Sequence, residues 1–180
     1  LESGMLRLEI HPETGWIASL VERHSQNELF NAPAAVPVVI DDPSDTWSHG
    51  VFTFDRVIGH FTLDSMQMID DGPVQSTLRV KSHYGHSSVT QDFTLYKAMP
   101  RIDVRVQVDW QEQHKMLKLQ FPVNVENPTA TYEVPYGHIV RPCNGAEEAG
   151  QRWVDISGSG LGVSFLNDGK YSFNVKDNVF

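Results

Sequence analysis

The sequence predicts an all-β domain, an antiparallel β-sandwich, and three observations carry that prediction. Apolar residues recur at every second position in the clearest segments, "RIDVRVQVDW" and "MLKLQFPVNV", the period of a strand with one buried face. Clusters such as Asp70-Asp71-Gly72-Pro73 punctuate the alternating runs and hold the residues that accept turn geometries. No stretch carries the 3.6-residue spacing of a convincing amphipathic helix. The 180 residues suit one domain spanning 1–180. A chain of this size buries roughly 70% of its unfolded surface and needs neither disulfide nor metal to hold its core.

Taken in order, "MLRLEI" and "WIASLVE" read as two strands joined through the tight turn Glu13-Thr14-Gly15. "VPVVI" is a short continuous apolar strand. The segment "DDPSDTWSHGVFTFD" follows. Its Asp-Asp-Pro start sets a turn by side-chain hydrogen bonding and a fixed φ. Asp45, Trp47 and His49 then offer a carboxylate, a flat apolar face and an imidazole, the groups that hold a sugar ring by stacking and hydrogen bonding. The competing reading has Trp47 plugging the sandwich edge while Asp45 caps a turn. "VFTFDRVI", "STLRVKSHY" and "FTLYKAM" are further strands, with "YGHS" a turn.

"RIDVRVQVDW" alternates most cleanly. Ile102, Val104, Val106, Val108 and Trp110 share one face, and Asp103, Arg105, Gln107 and Asp109 the other. "MLKLQFPVNV" repeats the pattern with Leu117, Leu119, Phe121, Val123 and Val125. Pro122 lacks an N–H and predicts an edge or a bulge. From Tyr132 to Trp153, three glycines and two prolines predict a long loop system with a short strand inside. Long ordered loops in compact domains carry function more often than not, and Tyr136, His138 and Arg141 are its candidate ligand-facing residues. "RWVDIS", "LGVSFL" and "YSFNV" close the chain, the last two as a hairpin around Asn167-Asp168-Gly169-Lys170. About a dozen strands result.

No local motif supplies catalysis. Asp41–Asp42, Asp70–Asp71 and Glu147–Glu148 are sequence neighbours, which point to opposite faces when extended. A glycosidase needs two converging carboxyls. His83 and His86 flank a glycine turn rather than a helical turn, and no cysteine pair or zinc-protease helix accompanies them. There is no G-x-S-x-G elbow and no phosphate-binding glycine loop. The net charge of −9, with Lys and Arg scattered, argues against nucleic-acid and anionic-membrane partners. No apolar run is long enough for a membrane-spanning helix. One cysteine, Cys143, excludes an internal disulfide and fits a reducing, cytoplasmic setting.

Five stretches in order resemble a known family: "LESGMLRLEIHPETGWIASLVERHSQNELF", "DDPSDTW", "YEVPYGHIVRP", "GQRWVDIS" and "GVSFLNDGKYSFNV". They are similar to the C-terminal β region of the glycoside hydrolase family 38 α-mannosidases, in particular the bacterial cytoplasmic branch. The resemblance implies a supersandwich of the galactose mutarotase-like kind. It implies that the chain is an excised fragment of a retaining α-mannosidase acting on terminal α-mannosides. The chain starts without a Met and stops at "NVKDNVF", in keeping with that expectation. The nucleophile, the general acid and a divalent metal, zinc, would belong to an N-terminal catalytic domain. This domain would then be non-catalytic, with no cofactor of its own. It would support that catalytic domain and bring loops to the α-mannoside.

In some relatives a tyrosine and an arginine reach the cleft from comparable loops. The matching positions here are His138 and Gly169 or Lys170. On this reading Tyr136, His138, Arg141, Asn167, Asp168 and Lys170 are the foremost cleft candidates, with Asp45, Trp47 and His49 behind them. Two other readings stand beside it. One is a self-standing carbohydrate-binding module with Trp47 and Trp153 as platforms. The other is a mutarotase-like epimerase, which needs a His and a Glu such as Glu133, Glu147 or Glu148 converging on a sugar.

Overall fold

In the computed structural model of this chain, residues 1–44, 47 and 49–180 are described. Among them sixteen strands and no helix occur. The first five are β1 (Leu6–Ile10), β2 (Ile17–Glu22), β3 (Asn27–Glu28), β4 (Val36–Asp41) and β5 (Val57–His60). A four-stranded meander follows: β6 (Thr62–Asp71), β7 (Gln75–Tyr84), β8 (Ser87–Tyr96) and β9 (Ile102–Asp109). Then come β10 (Lys115–Gln120), β11 (Thr129–Val134), β12 (Gly137–Arg141) and β13 (Glu148–Ala149). The last three are β14 (Trp153–Gly158), β15 (Leu161–Leu166) and β16 (Ser172–Phe173).

Every pairing between these strands is antiparallel. The larger sheets run β6-β7-β8-β9 and β12-β11-β14-β15, with three-stranded sheets β1-β2-β3 and β10-β4-β5. The main core lies where the first three of these meet: Leu8 and Leu20, Phe93 and Leu95, and Tyr132, Val154 and Ile156 are all buried in it. β4 is buried on both faces, Val36, Val38 and Ile40 packing with Trp16, Phe54 and Met116, and Val39 with Phe61 and Val89. That explains why its sequence is continuously apolar rather than alternating. The all-β sandwich expectation stands.

Several elements differ from expectation for identifiable reasons. β6 escapes a period-two reading because bulges at Leu63/Ser65 and Met68/Asp70 shift its register, and its edge position leaves nearly all of its residues exposed. Of "VFTFDRVI", only Val57 and Ile58 enter a strand. The run Met116 to Val125 leaves its sheet after Gln120. Phe121 instead exchanges both backbone hydrogen bonds with Phe180. The predicted loop system after Tyr132 is in part a hairpin, β11 and β12 joined through Pro135-Tyr136. Proline fits the first turn position, but Tyr136 takes φ +67°, a conformation disfavoured for a side chain of its size.

On the outer face of the meander, Arg79 of β7 lies directly opposite Asp92 of β8. Its Nε and Nη2 donate to the two carboxylate oxygens at 2.7 and 2.8 Å. Those bonds hold the Asp92 carboxyl below its ordinary value, against the opposing effect of burial. A depressed folded pKa contributes stability above the unfolded carboxylate range and loses it as pH falls through the folded value. We therefore expect Asp92→Asn to flatten the acid limb of a plot of unfolding free energy against pH. Superimposable limbs for the two proteins would show that the pair contributes nothing.

Candidate functional site

The loops singled out in the sequence gather at one end of the sheet β12-β11-β14-β15, and backbone hydrogen bonds stitch them there. Gln151 N donates to Glu133 O at 3.0 Å, and Asn167 N to Arg152 O at 2.8 Å. Gly150 N donates to Tyr171 O at 3.1 Å, and Glu147 N to Phe52 O at 2.9 Å. Side chains reinforce the assembly. The Glu133 carboxylate accepts from Arg152 N at 2.7 Å. Asn167 Nδ2 donates to Gln151 O at 3.1 Å. The hairpin tip, residues 150–152 and the Asn167–Lys170 turn therefore form one continuous rim, while the loop after β4 is tied to Glu147.

The predicted residues take distinct places on this rim. Tyr136 stands at the hairpin tip, fully solvent-exposed. His138 is exposed on β12 and sits opposite Glu133. Asn167 is occupied structurally, its Oδ1 accepting from Gly169 N at 3.1 Å and Lys170 N at 2.5 Å. This Asx arrangement presents Asp168 and Lys170 outward, both exposed.

Arg141 is not brought to the rim. It pairs with Ala130 at the far end of β12, donates through Nη1 to Glu148 Oε2 at 2.6 Å and lies 5.3 Å over the buried Tyr132 ring. Trp47 and His49 are exposed in the loop after β4; Asp45 lies outside the described residues. Behind the loop, Lys118 Nζ donates to Phe54 O at 2.9 Å and Asn174 Oδ1 at 3.1 Å. It also pairs with Glu147, which in turn accepts from Ser172 Oγ.

A feature that loop composition alone does not reveal lies on the outer face of the same sheet. A shallow depression of about 520 Å³ is lined by Thr131, His138, Trp153, Asp155, Ser164 and Leu166. Cross-strand register puts Thr131, Asp155 and Ser164 in one row and Trp153 beside Leu166 in the next. The signal was the period of two in "RWVDIS", which places Trp153 and Asp155 on one face. Among the described residues no group of three or more His, Cys, Asp or Glu side chains is arranged to hold a metal ion. The His83 side chain is instead engaged with Asp64 at 2.5 Å. No helix among the described residues is long and apolar enough to cross a membrane.

The family model for the glycosyl hydrolases family 38 C-terminal domain matches residues 1–180. The chain is 28% identical to Alpha-mannosidase G of Dictyostelium discoideum over 89% of its own length and 16% of that protein's. It is 30% identical to Alpha-mannosidase 2C1 of Homo sapiens over 99% of its own length and 19% of that protein's. Its fold is similar to the crystal structure of an alpha-mannosidase from Enterococcus faecalis V583, with a TM-score of 0.83 at 12% identity. That match covers 99% of this chain and 24% of the solved one. The chain thus spans no more than a quarter of the length of these relatives.

Proposed function

This chain belongs to the family of glycosyl hydrolases family 38 C-terminal domains, and on that premise we propose that it is the non-catalytic β-sandwich part of a retaining α-mannosidase. In this reading it packs against the catalytic domain of the same polypeptide, in a cytoplasmic setting. The rim formed by Tyr136, His138 and the Asn167–Lys170 turn approaches the mannoside. Zinc and the reacting carboxylates belong to the catalytic domain, and no step of the chemistry is assigned to residues of this chain. The rim supplies polar contacts to sugar hydroxyls and helps to exclude water.

One observation carries the reading. Tyr136 is held at φ +67° while its side chain is wholly exposed. A tyrosine in the left-handed region costs about 1 kcal/mol over glycine, and no packing among the described residues offsets it. We read this arrangement as serving a contact of the side chain outside the domain.

The test separates stability from function. Tyr136→Gly is expected to raise the stability of this domain by about 1 kcal/mol, read from the urea midpoint. In the intact enzyme it is expected to lower kcat/KM for p-nitrophenyl α-mannoside, as are His138→Ala and Lys170→Ala, without unfolding. The 180-residue chain alone should not turn this substrate over, with or without zinc. Unchanged kinetics in all three variants would reduce the rim to scaffolding, and turnover by the isolated chain would overturn the non-catalytic assignment.

A further inference from the structure

We propose that the outer face of the sheet β12-β11-β14-β15 carries a binding site for a neutral hexopyranose ring, with Trp153 as its platform. The site adjoins the loop rim and shares His138 with it, but its floor and its carboxylate, Trp153 and Asp155, lie on the sheet face, and it stands whether or not the rim serves a mannosidase cleft.

The depression on this face combines the two kinds of surface a pyranose presents to a protein. Trp153 and Leu166, neighbours across the β14–β15 pair, provide an apolar floor. Trp153 is half-buried and Leu166 exposed, so the floor is accessible yet held by its own sheet. An aromatic plane of this kind takes the C–H face of a sugar. Around it stand Thr131, His138, Asp155 and Ser164, whose oxygens and imidazole nitrogens match equatorial and axial hydroxyls. A small number of polar groups converging over an apolar floor is the composition of a ligand site.

Asp155 is the preorganised member of this set. Its Oδ2 accepts from Ser164 Oγ at 2.6 Å, and its Oδ1 accepts from Ser157 Oγ. The two hydroxyls fix the carboxylate on the sheet face, and each oxygen keeps a further lone pair for a ligand hydroxyl. Hydroxyl-to-carboxylate bonds are charge-assisted and stronger than neutral ones. The same charge sets the ligand class. With Glu133 on the neighbouring strand and a net charge of −9, the face repels sugar acids and sugar phosphates and favours uncharged hexoses. An open depression without walls predicts weak, millimolar binding of a ring or chain end rather than deep enclosure.

The experiment labels the four tryptophans of the 180-residue chain with fluorotryptophan and titrates methyl α-mannopyranoside, methyl α-glucopyranoside and glucuronate by fluorine NMR. The Trp153 resonance is assigned by its loss in Trp153→Tyr. Expected is a saturable shift of that resonance with the neutral hexosides; ligand-observed saturation-transfer NMR, which needs no label at position 153, is expected to show retained binding in Trp153→Tyr and affinity at least about tenfold weaker in Trp153→Ala and Asp155→Asn. Circular dichroism melts establish that each variant is folded. The proposal falls if no resonance shifts saturably, if only Trp47 responds, if Trp153→Ala binds as the parent chain does, or if glucuronate binds as tightly as the neutral sugars. Kinetics of the Tyr136→Gly and Lys170→Ala variants bear on none of these outcomes, so the two assignments fail independently.

Discussion

Tyr132→Ala is expected to destabilise the chain by about 3–5 kcal/mol, the range for deleting a buried aromatic, whereas Tyr132→Phe is expected to leave stability unchanged or raise it by about 1 kcal/mol. The Tyr132 side chain is wholly inaccessible to solvent. Its ring sits 6.5 Å from that of Phe173, beneath the Arg141 guanidinium. Its hydroxyl has no hydrogen-bond partner among the described residues. Burial above all pushes the phenol far above its ordinary pKa, so it stays neutral throughout the working range. A buried unpaired hydroxyl is a cost that phenylalanine removes while keeping the ring. Urea unfolding of the three proteins checks the pair. A loss of more than about 1 kcal/mol in Tyr132→Phe would show instead that a bridging water satisfies the hydroxyl.

Lys118→Ala is expected to cost about 2–3 kcal/mol and to release the segment 51–56. Lys118 Nζ joins three parts of the chain: Phe54 O from the loop after β4, Glu147 ahead of β13, and Asn174 after β16. The side chains of Lys118 and Glu147 are only 21% and 17% exposed, so truncating the lysine strands a shielded carboxylate and an amide oxygen. Replacing both partners, Lys118→Met with Glu147→Gln, should recover most of the loss because no charge is then left unpaired. Limited proteolysis reads the loop directly, with faster cleavage between residues 50 and 56 expected in Lys118→Ala alone. Equal cleavage in both proteins would mean that the loop is held by Lys176 and Asp55 rather than by Lys118.

Strands were legible in the sequence where one face is buried and the register runs unbroken. β2 and β9 announce themselves this way, and β4 does so through its unbroken apolar run. β6 did not, because a bulge reverses the facing of all residues beyond it. The short strand expected inside the loop system after Tyr132 is β12, but its bounds were not legible, because Gly137 and Pro142 bracket it and its residues are almost all exposed, which removes the apolar alternation. Those bounds matter for the site. Once 137–141 is a strand, parity puts His138 and Arg141 on opposite faces, and Arg141 turns toward Glu148. Turn chemistry located Tyr136 and the Asn167–Lys170 segment without any knowledge of pairing. Their meeting at one rim depends on β14 lying between β11 and β15, which no local pattern encodes. Lys118 shows the same limit. Alternation puts it on a solvent face, and only the return of residues 51–56 covers it.

The exchange of backbone hydrogen bonds between Phe121 and Phe180 bears on the order in which the molecule assembles. The Phe180 ring stacks on Phe165 at 4.4 Å and on Phe173 at 5.6 Å, so Phe180 is part of the core's wall. β4 likewise waits for β10, some seventy-five positions later. During synthesis, the β6–β9 meander can zip through successive hairpins as it emerges from the ribosome. The sandwich cannot close over it until Phe180 has left the exit tunnel. Folding dominated by such distant pairings is slow, on the order of milliseconds to seconds, and the half-made chain spends that interval with its apolar faces uncovered.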